Sequence, residues 1–144
     1  MYQIILNIHH YLAFAALALL AWATINGVMG VTSEKVFEES HRKTNLFALI
    51  SVHTMLLLGV ILLIISPGAQ AAFSDMASTM KDGVLRKMYV EHSTTNIIAV
   101  VLVTIGNAKS KKVIGNGKKF KFTIIFYGVA LLLILSRLPW EKLF

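Results

Sequence analysis

An all-α, integral-membrane four-helix bundle is the fold this sequence predicts. Three observations carry the prediction. Hydrophobic residues make up 56% of the 144-residue chain and charged residues 15%, where a soluble domain carries about 25% charged residues. Four apolar runs, about residues 4–25, 46–65, 90–106 and 122–138, approach or reach the length needed to cross a bilayer, roughly 20 residues for a ~30 Å hydrocarbon core. The basic residues gather in the connections between those runs, so the net charge of +7 reads as a membrane-surface signal rather than a nucleic-acid one. One transmembrane domain over residues 1–144 accounts for the whole chain.

The first run, from Ile4 to Ile25, lacks a basic head and a small-residue cleavage site, so it reads as a retained span and not as a removable signal. Leu46 to Ile65 is the second span, closed by the breaker sequence Ser66-Pro67-Gly68. The third and fourth runs are at the short end and borrow flanking residues. None alternates as a transmembrane strand does. Between the second and third spans, Phe73, Met76, Ala77, Met80 and Val84 recur at helical spacing. They predict a short amphipathic helix lying on the outer surface. Met76, Met80 and Met88 are soft enough to bind Cu(I), but apolar contact with the interface is the simpler reading. With no cysteine, a disulfide framework, a thiolate metal site and covalent haem attachment are all excluded.

Lysine and arginine set the expected orientation. The first and third connections carry Lys35, Arg42, Lys43, Lys109, Lys111, Lys112, Lys118, Lys119 and Lys121, nine in all. The opposite side carries Lys81, Arg86, Lys87, Arg137 and Lys142, five in all. The nine-residue side is expected in the cytoplasm of a bacterium, with the protein in the inner membrane and both termini facing outward.

Ionisable groups within spans are rare and usually tied to function. Here they are His9, His10, His53 and His92, with Glu91 at a lip; His41, beside Arg42 and Lys43, reads as a solvated surface residue. Depth can be reckoned from a rise of ~1.5 Å per residue. His9 and His10 lie roughly 24–26 Å from the cytoplasmic side, His92 roughly 21 Å, and His53 roughly 18 Å below the outer face. An imidazole leaving water needs a partner. His92 and one of His9 and His10 stand at similar depth on different helices, and a metal or haem iron between them would satisfy both. His9 shares its face with Ala13 and Ala16, leaving room for a flat macrocycle, whereas His10 shares one with Phe14 and Leu17. Arg86 and Lys87 before the third span, and Arg137 at the outer end of the fourth, are placed to pair with haem propionates at the polar boundary. For His53 the competing readings are cofactor ligation and a hydrogen bond to Asn96, Thr95 or Thr104. Glu91 reads as a solvated helix-start residue rather than a partner of a ligating histidine.

Several strings taken together carry a resemblance: the opening MY with its following histidine, a lone histidine ahead of LLLGVILLIISP, then LRKMYVEH, IGNAKSKK and a closing RLPW. Over nearly its whole length the chain resembles the small four-helix "cytochrome b"-like membrane proteins of Bacteroidota. The resemblance implies a protein that binds haem b, with His9, His53 and His92 as the matching histidines. The chain departs from the family at Ala13 and Phe14, where the family pattern is an Arg-Trp pair, so any charge balance at that point falls to another group.

The leading functional expectation is therefore electron transfer through haem b near the outer leaflet, with His9 and His92 as axial ligands. A non-catalytic structural or assembly subunit of a larger membrane complex is the alternative. A transporter is disfavoured by the lack of broken spans or repeats. No nucleophile, base and orienting group suggest hydrolysis. With only four spans, a homo-oligomer or a membrane partner is expected.

Overall fold

The computed structural model describes residues 1–140; Lys142, one of the five basic residues of the outward side, lies outside them. The described residues are mostly helical, with no strand among them. The elements are α1 (Tyr2–Thr32), α2 (Glu39–Ile65), α3 (Pro67–Ser74), α4 (Met76–Lys81), α5 (Gly83–Leu85), a π-helical turn (Arg86–Glu91), α6 (His92–Lys112) and α7 (Asn116–Ser136). Four helices are long and apolar enough to cross a membrane: α1, α2, the continuous helix Gly83–Lys112, and α7.

Each helix outruns its apolar stretch at the end that carries the first and third connections, hereafter the basic end. Leu46 was the expected start of the second span, yet α2 begins at Glu39; Gly106 was the expected end of the third, yet α6 runs to Lys112. Hydropathy marks what sits in lipid, whereas a helix continues until its terminal groups are satisfied. At Glu38 the cap is reciprocal: its side chain takes an N–H of the first turn, and its own N–H bonds Nδ1 of His41 at 3.0 Å. His41 is thus a capping residue and not a free surface group. Its ring is wedged between Phe37 and Phe120, at centroid distances of 5.6 and 5.0 Å. Lys119 Nζ donates to the carbonyls of Ser110 and Lys111 at 2.8 and 3.1 Å, closing the C-terminus of α6 with a cation where the helix dipole favours one. The three-residue link to α7 turns at Gly115, whose φ of 106° is open to glycine.

The expected single amphipathic helix of the second connection is instead broken into α3, α4 and α5. Asp75 and Asp82 break it. Asp75 accepts from the N–H of Ser78 at 3.2 Å, and Asp82 accepts from Val84 and Leu85 at 3.0 and 3.2 Å. Short acidic side chains bond nearby N–H groups and start new helices in preference to continuing old ones. Ser66 and Pro67 end α2 as expected, but they also open α3 at once, with Ser66 as cap and Pro67 in the first turn. Phe73, Met76, Met80 and Val84 point outward, while Ala69, Ala72 and Thr79 face the protein.

α1 packs on α2 and α7, and α6 packs on the same two, so α1 and α6 lie across a diagonal. The core at mid-bundle is built mostly from small and branched residues, Ala16, Leu20 and Ala23 of α1, Ala48 and Val52 of α2, Ala99 and Val103 of α6 and Ala130 of α7, with Tyr127 of α7 among them. Lipid offers no hydrophobic drive between helices, so close packing of small residues must supply the association. Gly106 shows the limit: a Cβ there would lie 2.4 Å from Cβ of Phe126. The second diagonal is drawn shut near the basic end. Asn45 Nδ2 donates to Thr123 Oγ1 at 3.0 Å, and Tyr127 donates its buried hydroxyl to the Asn45 carbonyl at 2.9 Å.

Candidate functional site

At the opposite end, hereafter the open end, the helices part around a cavity of about 190 Å³. The π turn shapes its wall. His92 N–H bonds the carbonyl of Lys87, five residues back. Such a turn inserts a residue and re-aims the side chains beyond it. Met88, His92, Asn96 and Val100 then line the cavity at steps of four, with Tyr89, Ser93 and Ile97 beside them. Tyr89 reaches in over Gly68, where a Cβ would meet its hydroxyl at 2.2 Å. This is also the least apolar of the four spanning helices; the polar run from His92 to Asn96 is what makes it so.

The structure brings His9, His10 and His92 to this one cavity, from α1 and α6 across the bundle diagonal. Small residues floor it on the α1 side, Ala13 and Ala16. Opposite them on α2, Gly59 leaves space over the His9 ring: a Cβ there would lie 3.6 Å from its Cε1.

Hydrogen bonds fix the His92 tautomer by elimination. Its Nδ1 lies 3.1 Å from the carbonyl oxygen of Arg137. A carbonyl can only accept, so Nδ1 carries the proton. Nε2 is then a lone-pair acceptor, and the Asn96 amide donates to it at 3.1 Å. Histidines that bind metals commonly donate their remote N–H to a carbonyl in this way, which leaves the other nitrogen to ligate. Among the described residues two buried polar atoms remain without any partner, His9 Nδ1 and Asn96 Oδ1, and both belong to cavity residues. Buried polar groups are satisfied in the great majority of cases, so this pair points to something polar entering the cavity.

The remaining expected residues are placed elsewhere. Arg86 and Arg137 both engage Glu91, at 3.5 and 3.8 Å, and neither side chain lines the cavity. Arg86 also donates to the Met80 carbonyl at 2.8 Å. Glu91, read from the sequence as a solvated helix-start residue, is the anion shared by the two arginines. His53 stands apart from the cavity. Its Nδ1 donates to the Leu49 carbonyl at 2.8 Å, and its Nε2 lies 3.4 Å from the Thr104 hydroxyl. Thr104 was one of three partners weighed for it.

Among the described residues, no three His, Cys, Asp or Glu side chains gather as a metal-binding group. Sequence reasoning passed over Gly59, Tyr89 and the Arg137 carbonyl. Gly59 had a signal, as the one residue without a side chain in the run LLLGVILLI; the carbonyl had none. Asn96, weighed as a partner for His53, instead bonds His92 on its own helix. No family model matches the chain, and no match was found among curated proteins or solved structures.

Proposed function

We propose that the protein binds haem b in the open-end cavity, between His9 and His92, and passes electrons at that end of the bundle. One observation carries this reading: two imidazoles from diagonally opposed helices share an apolar cavity in which the buried Nδ1 of His9 has no partner. The likeness of the sequence to cytochrome b-like membrane proteins points the same way. The haem would supply one-electron exchange; the chain's own residues hold it, dry it and balance its charge. His92 is held by the Arg137 carbonyl with Nε2 available for coordination, and the Asn96 amide must release that nitrogen. Arg86 and Arg137 stand near His92, and anionic propionates would compete with Glu91 for them. The cavity is smaller than the ~300 Å³ at the low end of small-molecule pockets, so loading has to part its walls. His53 has no place in this pair.

The orientation is set by charge. With nine Lys and Arg on the connections of the basic end, that end lies in the cytoplasm under the positive-inside rule, and the cavity opens toward the outer leaflet of the bacterial inner membrane. Absorption spectra of detergent-purified protein test the haem proposal. A Soret band and split visible bands on reduction are expected, in the protein as isolated or after adding haem. A colourless protein that takes up none would end the proposal.

A structural subunit is the second reading. It is favoured by the bonds that satisfy His53 Nδ1 and Asn45 within the bundle. Under it, alanine at His92 weakens assembly and changes no spectrum.

A further inference from the structure

We infer that the protein pairs with a second copy of itself across the face formed by α2 and α6, with His53 at the centre of the contact. His53 lies on α2 twelve residues before Ile65, roughly 18 Å from that helix end and so well inside the hydrocarbon. Yet the residue is exposed on the outside of the bundle, as is Thr104 beside it. Ionisable side chains within a membrane almost always face the interior of a bundle or a water-filled cavity. This one faces lipid unless something covers it.

Its hydrogen bonds show what is missing. Nδ1 donates to the Leu49 carbonyl at 2.8 Å, so Nε2 is an acceptor. The nearest donor is the Thr104 hydroxyl at 3.4 Å, but that hydroxyl has one proton and a better acceptor, the Val100 carbonyl at 2.7 Å. Nε2 is left with at best a weak bond in a medium that offers no water. Around this polar pair the face is apolar and uncovered. Ile50 and Leu57 share the face of His53 by helical spacing, and Val101 shares that of Thr104; each is half or more exposed.

A second copy is the occupant that the pattern fits. Acyl chains carry no donor, and headgroups do not reach this depth. A two-fold axis along the membrane normal returns every group to its own depth. The copy therefore brings an imidazole and a hydroxyl to the same level, and each Thr104 hydroxyl can turn from the Val100 carbonyl, which keeps its helical N–H, to the Nε2 of the other copy. The contact is independent of what the cavity at the open end binds.

The absence of cysteine from the chain makes the test direct. Leu57→Cys, one turn from His53 and with His53 intact, should form a disulfide-linked homodimer on mild oxidation in membranes. Leu132→Cys, equally outward on α7, should not. His53→Leu should raise the dimer dissociation constant in bilayers at least tenfold, read by energy transfer between labelled copies. Equal cross-linking at Leu132, a monomer throughout, adducts with a different polypeptide only, or a dimer unweakened by His53→Leu would each overturn the inference. If His53→Leu fails to fold, the two cysteine variants still decide it.

Discussion

The two ends of the bundle solve opposite problems. Toward the basic end, the diagonal between α2 and α7 is closed by Asn45, Thr123 and Tyr127, whose polar atoms bond one another. Phe120 fills the space left by Gly30, where a Cβ would lie 2.4 Å from its ring. At the open end, the diagonal between α1 and α6 is held apart, and His9 Nδ1 and Asn96 Oδ1 are buried without partners. Both ends put polar groups inside an apolar bundle. Only one satisfies them with its own residues. The basic end therefore reads as scaffold, and the proposed ligand site lies at the open end.

Substitutions should break the two ends in different ways. The largest effect is expected at Gly106. Leucine there drives a side chain into the Cβ of Phe126, which sits too close to its backbone to yield. We expect a loss of about 3 kcal/mol, at the upper end of overpacking penalties, seen as a lower unfolding midpoint or as failure to accumulate in membranes. Tyr127→Phe comes next. It removes the buried hydroxyl from the Asn45 carbonyl, at about 1 kcal/mol, measurable as a lower thermal midpoint with the helix content kept.

Smaller changes are expected at the open end. Glu91→Gln unpairs Arg86 and Arg137, but these side chains are all more than a third exposed. Solvent screening keeps such pairs between nothing and ~1 kcal/mol, so the unfolding midpoint should barely move, while haem affinity should hold or rise as the arginines are freed. His9→Leu should have the smallest effect on stability. It replaces an unpartnered buried imidazole by an apolar side chain, which is close to neutral or stabilising in the ligand-free protein. The same change should abolish haem uptake. A His9→Leu protein that unfolds readily would mean that the open end is scaffold too, and the contrast between the ends would vanish.

Legibility in the sequence divides along the same line. Four spans, their helicity and the shared level of His9, His10 and His92 come from apolar run lengths and a fixed rise per residue, which lipid enforces strictly. The helix ends were less legible, because Glu38, His41, Asp75 and Asp82 act through side-chain bonds to nearby backbone, and hydropathy does not register those. Asp75 and Asp82 could have been read as breaks, since each is a strong capping residue inside an otherwise helical pattern. The partners of Glu91 and His92 were out of reach. Arg137, which serves both, is 45 residues from His92, and nothing in a single sequence marks two helix ends as neighbours. His53 was legible as an oddity, a histidine in an apolar span, but its outward position depends on which face of α2 the other helices cover.

Ligand-induced stabilisation tests the distinction between the ends most directly. Thermal unfolding should be followed for the purified protein, His9→Leu, His92→Leu and Tyr127→Phe, each with increasing haemin. A ligand that binds only the folded state raises the midpoint with its concentration. A rise is expected for the unaltered chain, none for either histidine variant, and for Tyr127→Phe a lower start with a parallel rise. No rise in the unaltered chain, or an equal rise in His9→Leu, would contradict a ligand site at the open end.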